Sequence, residues 1–104
     1  MDIGLDAHKR RCRAVSIDGE GRVAARETVP TRTESLRDWA SRLRPGDRVA
    51  VEASSSGRFV HRVLREAGAD LRLVHPAGIP AIAKAKVKTD DRDAEVLAHA
   101  YIYR

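Results

Sequence analysis

A chain of 104 residues with 42 % hydrophobic content suits one small domain spanning 1–104, with a real but modest core. Sixteen Arg and 4 Lys face 15 acids, leaving a net charge of +5; so Arg-rich a chain favours forked contacts to phosphate or carboxylate, although a GC-rich coding sequence gives the same bias. Four aromatic residues exclude a surface that stacks successive bases, and the single Cys12 excludes an intrachain disulfide or a Cys-rich zinc site. The start Met1-Asp2-Ile3-Gly4-Leu5-Asp6 has no cationic segment leading into an apolar run, and no apolar stretch is long enough to span a membrane. A reducing, cytoplasmic setting without membrane attachment is the expectation.

Ile3 and Leu5 alternate with Asp2, Gly4 and Asp6, which predicts a first strand ending near Asp6. Cys12 to Ile17 alternates again, Asp18-Gly19-Glu20-Gly21 has turn chemistry, and Arg22 to Val29 resumes a strand, so three strands form an antiparallel meander. Pro30 stops that ladder; Thr33 is placed as the N-cap of a helix carrying Leu36, Trp39, Ala40 and Leu43, closed by Pro45-Gly46. Arg48 to Ala53 is a short strand. From Gly57, residues Phe59, Val60, Val63, Leu64 and Ala67 form a second helical stripe ending at Gly68, and Leu71 to Val74 is the last strand. After Lys84, Lys86 and Lys88 a third helix opens at Thr89-Asp90 and runs through Val96, Leu97 and Tyr101; the chain stops inside it, as expected of part of a longer protein or of a surface that a partner covers.

The order β-β-β-α-β-α-β-α, a meander followed by helical crossovers, is that of the ribonuclease H-like fold, a mixed sheet flanked by helices. It places Asp6 and Glu52 at the carboxyl ends of the first and fourth strands, where ligand sites of open α/β sheets gather. Parallel neighbours would set the two carboxylates side by side. Asp90 and Asp93, three residues apart at a helix start, share a face and complete a four-acid cluster. Carboxylates so close repel and call for Mg²⁺ or Mn²⁺, hard ions that also grip phosphate oxygens. The plainer readings are a turn residue for Asp6, an ion pair or cap for Glu52, and complements to the helix dipole for Asp90, Asp91 and Asp93.

Four stretches resemble the DEDD transposases of bridge-RNA-guided insertion sequences and the Piv-type DNA invertases, whose N-terminal domain is RuvC-like. They are Gly4-Leu5-Asp6-Ala7-His8-Lys9, Val51-Glu52-Ala53-Ser54, Arg62 to Pro76, and Lys88-Thr89-Asp90-Asp91-Arg92-Asp93-Ala94. The last matches the family's Lys-Thr-Asp-x-x-Asp-Ala signature and is the most specific. The resemblance covers the whole chain but only the N-terminal part of a family member. It implies that Asp6, Glu52, Asp90 and Asp93 hold the divalent metal at a scissile phosphate, with Asp91 merely filling the variable position. It further implies a second domain supplying a nucleophilic serine, an oligomeric synaptic complex, DNA as substrate and a guide RNA; the fragment alone would be inactive.

Lys9, Arg58, Arg62, Lys84, Lys86 and Lys88 are candidates for nucleic-acid phosphate contact, against the alternative of a solvated basic face. Ser54-Ser55-Ser56 offers hydroxyls to a phosphate or caps a helix. His8, His61, His75 and His99 lack metal-ligand spacing and are read as surface or capping residues. Three rival functions stand beside the transposase: a stand-alone junction or RNA-processing nuclease of the same fold; a non-catalytic RNA-binding or dimerisation remnant of a mobile element; and an ATP-binding domain of the sugar-kinase type. The last is disfavoured because Ala7-His8-Lys9 lacks the Gly and Ser or Thr that such a phosphate-cradling hairpin needs.

Overall fold

The computed structural model describes residues 1–75 together with Ala94, Glu95, Leu97 and Ala98. Five strands, β1 (Asp2–Ala7), β2 (Arg11–Ile17), β3 (Val23–Pro30), β4 (Arg48–Glu52) and β5 (Asp70–Val74), form one sheet in the order β3-β2-β1-β4-β5. Helix α1 (Thr33–Ser41) joins β3 to β4, and α2 (Ser55–Glu66) joins β4 to β5. The meander is antiparallel and β4 and β5 run parallel to β1, so the sheet is mixed as the element order required.

Alternation divides each strand between two faces. One face carries Ile3, Leu5, Cys12, Ala14, Val49 and Val51 against Leu36 and Trp39 of α1 and Val60, Val63 and Leu64 of α2, all buried. The opposite face carries Val15 and Ile17, buried against Ala94 and Ala98. Those two alanines, four apart on a helix, lie over Gly4: a Cβ built there would overlap the Ala94 carbonyl oxygen and approach Ala98 N to 2.6 Å. Helix backbone rests directly on strand backbone at that point, and only a residue without a side chain fits.

The local chemistry explains where the boundaries depart from those read in sequence. Pro30 stops the ladder as read, but from within it: it is the last residue of β3, opposite Arg11, on an edge strand where a missing N–H costs nothing. Thr33 is the first helical residue rather than the cap; Arg32 occupies the cap with extended backbone and contributes no side-chain hydrogen bond. Helix α1 ends at Ser41, before Pro45. Helix α2 starts two residues ahead of Gly57, because the Ser54 hydroxyl accepts the Gly57 N–H at 3.0 Å and caps it. At its far end Gly68 (φ 87°) takes the left-handed turn that closes the helix. Of the third helix, Ala94, Glu95, Leu97 and Ala98 are helical; its opening at Thr89-Asp90 and its run to Tyr101 lie outside the described residues. No described helix is long and apolar enough to cross a membrane.

Candidate active site

The site begins with strand register. β1 pairs in parallel with β4 as Ile3↔Val49, Gly4↔Ala50 and Leu5↔Val51, and the next step along each strand is Asp6 and Glu52. Alternation from Gly4 and Ala50 puts both acids on the face that carries the Ala94–Ala98 helix, at the carboxyl edge of the sheet.

Asp6 is 5 % exposed, the one buried charged side chain among the described residues. Burying a carboxylate is costly unless hydrogen bonds or a cation compensate it. His8 Nε2 lies 2.7 Å from Asp6 Oδ2, so the imidazole, itself half exposed, holds one oxygen of the acid. His8 is a surface residue as read, and the structure adds a role to it: the β1–β2 turn folds it back onto the acid two residues earlier, a contact that metal-ligand spacing does not reveal. Across the ladder Arg13 of β2 stands opposite Asp6, with its guanidinium donating to Thr28 Oγ1 at 2.8 Å. Arg13 was missed because register between strands is invisible in one sequence.

Glu52 is half buried, and among the described residues nothing bonds its carboxylate. Its carbonyl is occupied: it accepts from Ser54 N at 2.9 Å and packs so closely on Gly57 that a Cβ there would overlap it. The start of α2 therefore grips the end of β4 and fixes the backbone from which Glu52 projects. The contrast within β1 is informative. Asp2, on the same face at the amino end, is an ordinary structural acid, paired with Arg48 of β4 at 2.7 Å. At the carboxyl end the residue beside Asp6 on β4 is another acid.

The remaining expectations divide. Asp90 and Asp93, with Asp91 between them, lie outside the described residues, as do Lys84, Lys86 and Lys88. Among the described residues no three acids, histidines or cysteines converge on one point. Lys9 lies exposed in the β1–β2 turn, at the same edge of the sheet as Asp6. Arg58 is exposed on α2, and Arg62 sets its guanidinium 5.5 Å above the Phe59 ring. Cys12 is fully buried beside Thr31 Oγ1 (3.2 Å), and burial pushes its thiol up, against an opposing pull from that hydroxyl.

A family model described as "Transposase", that of the DEDD transposases, matches residues 3–104. The chain belongs to the DEDD transposase family. Its curated relatives include a probable family 20 transposase of Pseudomonas aeruginosa, 33 % identical over 98 residues, an alignment taking in 94 % of this chain and 28 % of the relative. The chain thus spans little more than a quarter of that transposase. Among solved structures it is similar to Thermus thermophilus RuvC in complex with a Holliday junction substrate, at TM-score 0.68 and 15 % identity, covering 96 % of this chain and 90 % of that one. A second Thermus thermophilus RuvC structure matches at TM-score 0.63 and 16 % identity, covering 96 % and 92 %. At such identities the likeness concerns fold, and the fold of this DEDD transposase chain is RuvC-like, the ribonuclease H-like arrangement expected from its element order.

Proposed function

We propose that Asp6 and Glu52, joined by Asp90 and Asp93, form the divalent-metal centre of a DEDD transposase that cleaves and exchanges DNA strands in transposition. The observation that carries this reading is the parallel β1–β4 register, which runs up to Leu5 and Val51 and leaves two acids next in line on one face. Membership of the transposase family supplies the reaction class.

The donor set fits Mg²⁺ or Mn²⁺: two carboxylates, one buried, on neighbouring strands, all hard oxygen donors whose mutual repulsion a cation relieves. Asp93 is bonded to Ala94, whose backbone lies on Gly4, two residues before Asp6 on the same face of β1; that packing supports its joining the pair. When bound, the metal supplies Lewis-acid stabilisation of charge on the phosphodiester. The chain's own residues prepare the ground. His8 orients Asp6, the Glu52–Gly57 contact fixes the β4 end, and burial of Asp6 keeps bulk water from one side of the site. Lys9, Arg58, Arg62, Lys84, Lys86 and Lys88 would meet the nucleic-acid backbone by counterion release. The family resemblance adds a serine from another domain, a guide RNA and an oligomeric assembly.

The test is strand cleavage and exchange by the transposase carrying this chain. Asp6→Asn and Glu52→Gln, which preserve shape and remove charge, are expected to lower the Mg²⁺-supported rate by about 10³-fold or more, the scale of losing a group that acts only in the transition state. Full recombination by either variant overturns the assignment.

A further inference from the structure

A groove of about 440 Å³ opens at the same edge of the sheet, on the side of α2, lined by Lys9, Thr31, Ser55, Ser56 and Phe59. Three segments meet there: the β1–β2 turn, the link from β3 into α1, and the first turns of α2. The first two are stitched together, since Thr31 Oγ1 donates to the His8 carbonyl at 2.7 Å and Thr31 N donates to the Arg10 carbonyl at 3.0 Å, while the first turns of α2 are held on the end of β4 by the Glu52 carbonyl. The groove is therefore built on fixed backbone, three residues past Asp6 on one side and three past Glu52 on the other.

Its lining combines two kinds of chemistry. Capping of α2 uses Ser54 alone, so Ser55 and Ser56 are left over from the serine run, and among the described residues no side chain bonds their hydroxyls. Lys9, exposed, has no ion-pair partner among the described residues. An ammonium beside two hydroxyls suits a phosphate. The rest of the lining is different: the half-buried Phe59 adds an apolar aromatic ring, with Arg62 over one of its faces at 5.5 Å. One ring cannot stack a run of bases, but it can take one.

We propose that this groove seats a single nucleotide of the nucleic-acid strand entering the acid site, with its phosphate on Lys9, Ser55 and Ser56 and its base on Phe59. The inference rests on the reading of Asp6 and Glu52 as a nucleic-acid-processing centre, and extends it to a base-contacting subsite on the opposite side of the sheet edge.

The experiment measures binding of a fluorescein-labelled dT12 strand to the full chain in EDTA, beside a 12-mer of the same length carrying abasic sites throughout. The wild type is expected to prefer the strand with bases by about fivefold or more. Phe59→Leu, which keeps an apolar side chain for packing, reduces that preference to about one while the melting temperature shows the fold intact. Lys9→Gln retains the base preference and lowers the slope of log K against log salt by about 0.7, the loss of one phosphate contact on a single strand. An rU12 strand run in parallel separates ribose from deoxyribose, and a base preference with either sugar supports the groove. Equal binding of dT12 and abasic strand by the wild type, an unchanged preference in Phe59→Leu, or an unchanged salt slope in Lys9→Gln overturns the proposal. Because these readings are taken without metal, they can fail while Asp6→Asn still abolishes cleavage, and the two readings stand or fall separately.

Discussion

Replacing Gly4 with alanine should disrupt both the second core and the candidate centre. The added methyl would overlap the Ala94 carbonyl oxygen and come within 2.6 Å of Ala98 N. Both obstacles are helix backbone, which cannot swing away as a side chain can, so the helix itself must move. If it shifts slightly, the cost is that of overpacking, about 1–3 kcal/mol. If it lifts off, Val15 and Ile17 lose their cover, and at about 1.5–3 kcal/mol per large aliphatic side chain the loss reaches about 3–6 kcal/mol. Against a total stability of about 5–15 kcal/mol, either is large. At about 4–8 °C per kcal/mol for a domain of this size, Gly4→Ala should melt at least about 4 °C, and up to tens of degrees, below the wild type. Thermal melts followed by circular dichroism measure this, with Gly19→Ala as control, since a Cβ at Gly19 meets nothing within 4 Å. A Gly4→Ala variant melting with the control would refute the backbone-on-backbone contact, and with it the support that contact gives Asp93 as a partner of Asp6.

Further outcomes follow from other contacts. Gly57→Ala meets the Glu52 carbonyl oxygen and should cost about 1–3 kcal/mol, while Ser54→Ala loses the α2 cap at about 1 kcal/mol, both read from urea unfolding. Partial burial pushes the Asp47 carboxyl up, but hydrogen bonds from the N-terminal ammonium (2.7 Å) and from Arg44 N (2.9 Å) outweigh it and hold the acid below its ordinary range. A lowered folded value gives stability that is complete above the ordinary carboxylate range, about pH 4, and is lost as the pH falls through the lowered value; Asp47→Asn should therefore flatten the melting temperature against pH between about 4 and 2. The Cys12 thiol, buried and pushed up, should resist iodoacetamide at pH 8 in the folded chain and react once urea unfolds it.

The fold was legible because this chain signals each element locally. Ile3 and Leu5 alternate, Asp18 to Gly21 marks a turn, and the apolar stripes of α1 and α2 repeat at helical spacing, so the element order was available before any coordinate. Boundaries slipped where a backbone requirement was waived or met by another residue: Pro30 can end an edge strand, and Ser54 rather than Gly57 sets the start of α2. The pairing of Asp6 with Glu52 was foreseen only as a condition, that β1 and β4 be parallel neighbours, which the sheet order satisfies. His8 on Asp6, Arg13 opposite it and the helix seated on Gly4 depend on side-chain direction and strand register, which no single sequence carries. A signal for the last existed: a glycine on the acid-bearing face of β1, and two alanines four apart, the first of which closes the Lys-Thr-Asp-x-x-Asp-Ala stretch.

Whether Asp6 and Glu52 hold a divalent cation is decided by Mn²⁺ titration calorimetry on the full chain, with the wild type beside Glu52→Gln and Asp6→Asn. Saturable binding by the wild type is expected, weakened about tenfold or more in each variant while their melting temperatures show folded protein. Equal Mn²⁺ affinity in all three proteins, or no binding by the wild type, would contradict a metal centre formed by this chain's own acids.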